Sequence, residues 1–333
     1  MNKRLLICLY GLSLPFVWYR AILASQYSSA ELLVIPWGDA TNQLKINMPY
    51  YEDVFNTPED SSDDWVELAG PNRNFVDKNE NIYVSSFRLK QLKSFGKDGH
   101  LIFDYSKGAV GYDSEIFEAG VRQIFVDTMC HLYVAHADRH DYVAMLDTSG
   151  HLLARLSPHG QGSGIMVINI YRNSDDILSF YLEDNTFYSF SHGIFQPNGA
   201  TSWMARDGFY YTGYQRDSTA IVIIKLKNPD LNGNASLESK STLEITGAFI
   251  WYSEFLGVDD ESQLYHFVDQ YGPDARKVFI FDEQLEQVDQ VEFPLQLNRY
   301  HWEMRPFMRP SDGNIYEFRC LDDGLHVIRW SKE

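Results

Sequence analysis

The chain has 333 residues, with 46 acidic against 28 basic side chains and a formal charge of −18. That surplus repels a phosphate backbone over most of the surface and sets generic nucleic-acid binding aside. The 21 Tyr, 21 Phe and 7 Trp favour sheet surfaces, while three cysteines are too few for a disulfide framework, so a hydrophobic core and strand ladders must hold the fold.

At the N-terminus, Lys3 and Arg4 precede an apolar run from Leu5 to Tyr19, which Arg20 interrupts. The run has the length of a secretory signal and is short for a free-standing membrane span. Cleavage near Ala24, or after Ser28-Ser29-Ala30, would leave a secreted, periplasmic or cell-envelope protein. The alternative is an uncleaved anchor, with membrane attachment through residues 5–24 and the rest of the chain outside the cytoplasm. Ile7 is bulky where a lipobox carries a small residue, which argues against lipidation at Cys8. Residues 1–30 are therefore assigned to the leader or anchor and 31–333 to a single domain. Without the leader only Cys130 and Cys320 remain, far apart in sequence, and they read as free thiols.

The domain opens with a strand candidate, ELLVIPW at Glu31–Trp37, followed by QLKI and a polar, acidic stretch over Tyr51–Asp64. A repeat follows. Phe75-Val76-Asp77 returns as Phe125-Val126-Asp127, Tyr83 as Tyr133, and Gly99-His100-Leu101 as Gly150-His151-Leu152. A third copy closes the chain, FMRPSDGNIYEFRCLDDGLHVIRWS at 307–331. Looser versions occupy 165–191, 205–226 and 255–294, which makes about six units of about forty to fifty residues each. Each alternates short apolar strands with Asp, Asn, Gly or Pro turns, the pattern of four-stranded antiparallel blades. A blade must bury both faces against neighbours, so radial closure supplies the missing partners and protects the edges. The expected fold is all-β, a six-bladed propeller in which ELLVIPW joins GLHVIRWS and strands from both chain ends close the ring.

Over residues 31–333 the chain resembles the broad group of six-bladed β-propellers that includes NHL-like and TolB-like members. The resemblance is carried by FVDKNENIYVSSF, IFVDTMCHLYVAH and MRPSDGNIYEF, and by KDGHLIFDY, TSGHLLARL and DDGLHVIRW. It implies a central channel with ligand or partner surfaces on the loops at one end. It implies no particular reaction, since such propellers include binding modules and enzymes.

Candidate site residues come from the repeat itself. Arg73, Arg122 and Arg305 stand just before Phe75, Phe125 and Phe307, so a shared blade orientation would bring three guanidinium groups to one end of the ring. Such a patch would take an anion; the competing role for each is an ion pair between neighbouring blades. Tyr300, His301 and Trp302 precede Arg305, and Trp251, Tyr252 and Glu254 precede the fifth unit, adding flat aromatic surface and polar orientation for a sugar, peptide or protein. The partner expected is a protein or a small anionic or saccharide ligand. Asp77-Lys78-Asn79-Glu80-Asn81 offers spaced oxygens, but Ile82 replaces the turn glycine of a calcium loop, and the histidines lack compact zinc spacing. Neither metal nor cofactor is expected. No nucleophile elbow, phosphate-binding loop or dinucleotide fingerprint occurs. A non-catalytic binding role is favoured over a hydrolase or lyase using His301 and Glu254.

Overall fold

The computed structural model describes residues 27–40, 42–44, 71, 73–86, 89–105, 120–136, 141–160, 162–165, 167–173, 177–184, 186–191, 193–197, 204–206, 209–227, 236–271, 275–294 and 305–333. Among them are 24 strands and no helix. The first strand in the chain is β1 (Tyr27–Pro36). The first sheet then takes β2 (Arg73–Val76), β3 (Ile82–Ser86), β4 (Gln91–Phe95) and β5 (Leu101–Asp104) in order. The second holds β6 (Val121–Val126), β7 (Leu132–His136), β8 (Val143–Leu146) and β9 (Leu152–Leu156). In the third are β10 (Val167–Asn173), β11 (Ile177–Leu182), β12 (Phe187–Ser191) and β13 (Ile194–Pro197). Next come β14 (Met204–Arg206), β15 (Phe209–Asp217), β16 (Ala220–Lys227) and β17 (Ser236–Glu244) in the fourth. The fifth has β18 (Phe249–Val258), β19 (Leu264–Tyr271), β20 (Ala275–Phe281) and β21 (Gln287–Phe293). In the sixth, β22 (Phe307–Met308), β23 (Ile315–Leu321) and β24 (Gly324–Lys332) are completed by β1.

The first strands of successive sheets touch in turn, from β2 through β6, β10, β14, β18 and β22 and back to β2. The chain is therefore a six-bladed β-propeller, closed as expected by strands from its two ends. Antiparallel order fixes two ends of the ring. All first strands begin at the upper face, so the first and third strands of each blade run down to the lower face and the second and fourth run back up. Apolar side chains between blades make the core. One cluster runs from Phe75 through Phe125 and Tyr133 to Phe180, and others join the sixth blade to the first, the fourth to the fifth and the fifth to the sixth. The repeated phenylalanines meet at the inner strands, Phe75 lying 4.3 Å from Phe307 and 5.3 Å from Phe125 between ring centroids.

The repeated aspartate has a structural task. Asp77 accepts N–H bonds from Asn79 at 2.8 Å and Asn81 at 2.9 Å, and its other oxygen accepts from the Tyr83 hydroxyl at 3.1 Å. Asp127 binds His131 N–H and Tyr133 the same way, and Asp259 binds the N–H groups of Glu261 and Gln263 and the Tyr265 hydroxyl. Each turn needs one left-handed residue, supplied by Glu80, Cys130 and Ser262 with φ of 62, 64 and 62°. The oxygens that suggested a cation loop at Asp77 are thus committed to backbone and tyrosine donors. In the sixth blade Pro310 stands six residues before Tyr316, where the others have Asp, and the Tyr316 hydroxyl turns instead to Glu80 of the first blade at 3.4 Å. Glu80 also accepts from Arg329 at 2.6 Å, so charged contacts span the seam where the ring closes.

β1 pairs with β24 over its whole length, from Tyr27 opposite Lys332 to Pro36 opposite Gly324. It begins four residues before the expected domain start at 31, on the lower face. The Tyr27 side chain is buried between the fifth and sixth blades, its hydroxyl 3.1 Å from that of Tyr265 and 3.3 Å from the Gly313 carbonyl. Of the QLKI segment, the described residues contribute a single bridge, between Leu44 and Trp37.

Between the fourth and fifth blades lies a buried imidazole with no hydrogen-bond partner among the described residues. His266 on β19 lies opposite Phe255 and Phe279 and is 0 % exposed, and neither ring nitrogen is bonded. Gly213 of the fourth blade makes room for it: a Cβ there would sit 2.5 Å from His266 Nδ1. Burial pushes the imidazole down to about 3.

Candidate functional site

The upper face between the fifth and sixth blades gathers several of the expected residues. Trp251 and Glu254 lie within β18, the innermost strand of the fifth blade, and not ahead of that blade as the repeat boundaries suggested. The β18–β19 register shifts between Ile250 and Tyr252, so Trp251 is the extra residue of a bulge. A bulge re-aims its side chain out of the ladder. The indole is 81 % exposed and nearby Phe249 is 61 % exposed, while Ile250 between them is buried in the core.

Past the bulge, the Tyr252 hydroxyl donates to Glu254 Oε2 at 2.9 Å. Arg305, two residues before β22, donates from Nη1 to the same oxygen at 3.1 Å, and its Cζ lies 4.5 Å from the centre of the Tyr252 ring. Asn74 of the first blade donates to the Arg305 carbonyl at 3.0 Å. Arg305 is thereby fixed across three blades: side chain to the fifth, backbone to the first, its own strand in the sixth. Burial, and then the Glu254 charge, push the Tyr252 hydroxyl well above the usual tyrosine range, against the opposing charges of Arg305 and Arg73. Arg73 is therefore part of the electrostatic surroundings of this cluster.

Of the expected set, the structure brings together Glu254 and Arg305, with Arg73 acting on Tyr252 through its charge and Trp251 one residue before Tyr252 on the same strand. The Arg305–Glu254 contact is an inter-blade ion pair, the role weighed against anion capture. Arg122 occupies a bulge between Val121 and Gln123, which absorbs its extra residue of spacing from Phe125. Its side chain, Tyr300 and His301 lie outside the described residues. Tyr252, set beside Glu254 in the sequence as flat contact surface, acts instead through its hydroxyl, and its place two residues before Glu254 on a strand puts both on one side of the ladder. Neighbouring blades are also stitched by amides. The Gln123 amide donates to the Ile170 carbonyl at 3.1 Å and accepts from its N–H at 3.2 Å; from β15, the second strand of the fourth blade, Gln215 donates to the Ile250 carbonyl at 3.2 Å.

No protein-family signature matches the chain, and no curated protein matches it. Solved structures do. The ring is a propeller by comparison as well as by topology. A member of the DUF4221 family from Bacteroides vulgatus aligns over 92% of this chain and 98% of its own, with a TM-score of 0.50 and 8% identity. A streptogramin B lyase aligns over 92% and 98%, with a TM-score of 0.45 and 9% identity. Virginiamycin B lyase from Staphylococcus aureus aligns over 79% and 94%, with a TM-score of 0.45 and 9% identity. At these identities the likeness concerns the fold.

Proposed function

We propose that the protein is an exported, non-catalytic propeller that recognises a protein or a small ligand at the upper mouth of its channel, beside the fifth and sixth blades. The observation that carries this reading is Trp251, a large indole turned into water by a bulge on the same strand as the ordered Tyr252–Glu254–Arg305 cluster, next in sequence to Tyr252. Exposed aromatic surface beside a few fixed polar groups is the composition of a recognition site. Glu254 spends Oε2 on both Tyr252 and Arg305, an arrangement that suits orienting a ligand better than transferring a proton. Export is supported by Lys3 and Arg4 ahead of the apolar run Leu5–Tyr19.

The test is a thermal-shift screen of the purified protein against saccharides, organic acids and peptides, with product analysis of every hit. The expected result is a ligand that stabilises the protein, is recovered intact, and no longer stabilises Trp251→Ala. Turnover of the hit would replace this reading with a hydrolase or lyase. A hit indifferent to Trp251→Ala would put recognition elsewhere on the ring. Recovery of the full chain in the cytoplasm would overturn export.

A further inference from the structure

We infer that the ligand of this mouth is a neutral saccharide, one ring seated on the Trp251 indole with neighbouring hydroxyls shared between Arg305 and Glu254. This rests on the proposal above that the mouth binds a ligand, and it narrows the chemistry. Arg305 Nη1 lies 3.1 Å from Glu254 Oε2, and the two side chains are 38% and 36% exposed, so both reach solvent while neutralising each other. An added anion would gain little from a guanidinium already matched and would meet the Glu254 carboxylate directly. Two adjacent hydroxyls fit better, because each both donates and accepts, and the pair presents N–H donors beside carboxylate acceptors.

The aromatic surface of the mouth points the same way independently of charge. The bulge turns Trp251 out of the ladder to 81% exposure, and Phe249 at 61% adds a further exposed ring close by in sequence. A flat aromatic face held in water matches the C–H face of a pyranose, whose edge carries the hydroxyls. Tyr252 donates to the carboxylate and lies under the guanidinium, so the polar groups are set before the ligand arrives, which lowers the entropic cost of binding.

The experiment titrates the intact folded protein with neutral oligosaccharides of glucose, galactose, mannose and xylose, following tryptophan fluorescence and calorimetric heat. Uronate oligosaccharides, small organic acids and peptides run alongside. At least one neutral oligosaccharide is expected to bind and to perturb the fluorescence. Its affinity should be indifferent to salt and should fall about tenfold or more in Trp251→Ala. Glu254→Gln should weaken binding by a similar factor; if that variant is poorly folded, Trp251→Ala, which alters an exposed side chain, still decides. Binding confined to acidic ligands and weakened by salt overturns the saccharide inference and leaves the mouth a recognition site. Binding confined to peptides does the same. No binding by any of the four classes overturns both.

Discussion

Replacing His266 with leucine tests the account of the interface between the fourth and fifth blades. The imidazole is sealed, has no bonded nitrogen and is held down to about 3 by burial, against an ordinary value of about 6.5. In the unfolded chain it takes a proton as the pH falls through about 6.5; in the folded protein it does not until about 3. Between those values the unfolded state gains protons that the native state refuses, so acid removes stability by ~1.4 kcal/mol per pH unit. From pH 7 to pH 5 that amounts to about 2 kcal/mol, and over the whole window to about 5 kcal/mol. His266→Leu abolishes the titration at nearly constant volume and removes an unbonded polar ring, worth a further ~1 to 3 kcal/mol at neutral pH. Urea unfolding of both proteins at pH 7, 6 and 5 should show the variant more stable throughout, with the gap widening by about 2 kcal/mol on acidification. A gap that stays constant across these pH values would refute the claim that His266 is buried, neutral and unbonded.

Ring closure and backbone geometry give three further outcomes. Tyr27→Phe removes a buried hydroxyl placed between Tyr265 and Gly313, and should cost ~1 to 2 kcal/mol in urea unfolding; a chain starting at Leu32, which loses half of β1, should lose far more cooperativity. Gly313→Ala forces a methyl group against the Tyr265 hydroxyl at φ +65°, whereas Gly162→Ala meets open space at φ +85°. The first should therefore lower stability by ~2 kcal/mol more than the second, and equal losses in thermal unfolding would count against the packing described at the lower face.

The fold was legible because its units repeat with their turn chemistry intact. Phe75-Val76-Asp77 and Phe125-Val126-Asp127 mark the same strand end and the same capped turn in two blades, and ELLVIPW finds its partner in GLHVIRWS. The start of β1 was harder to see, because Tyr27-Ser28-Ser29-Ala30 reads as a small-residue cleavage region while its backbone extends the ladder. The site was legible in its residues and not in their relations. Repeat position put arginines at one end of the ring, but a bulge carries no sequence mark, so neither the spacing of Arg122 nor the projection of Trp251 could be derived. The Arg305–Glu254 pair joins residues 51 apart on different blades, a contact that only the closed ring creates.

That closure also sets an order of events in the life of the chain. β1 is made before the other described strands of the ring, yet its partner β24 is made after all of them, 295 positions separating Glu31 from His326 where their side chains meet. The sixth blade cannot be completed until β24 has been made, and until then its partner strands leave an open edge of the kind that invites pairing with other chains. A nascent propeller of this design must be shielded or kept unfolded until β24 emerges, and loss of β1 or β24 should yield an open, sticky ring where loss of an internal loop tip would not.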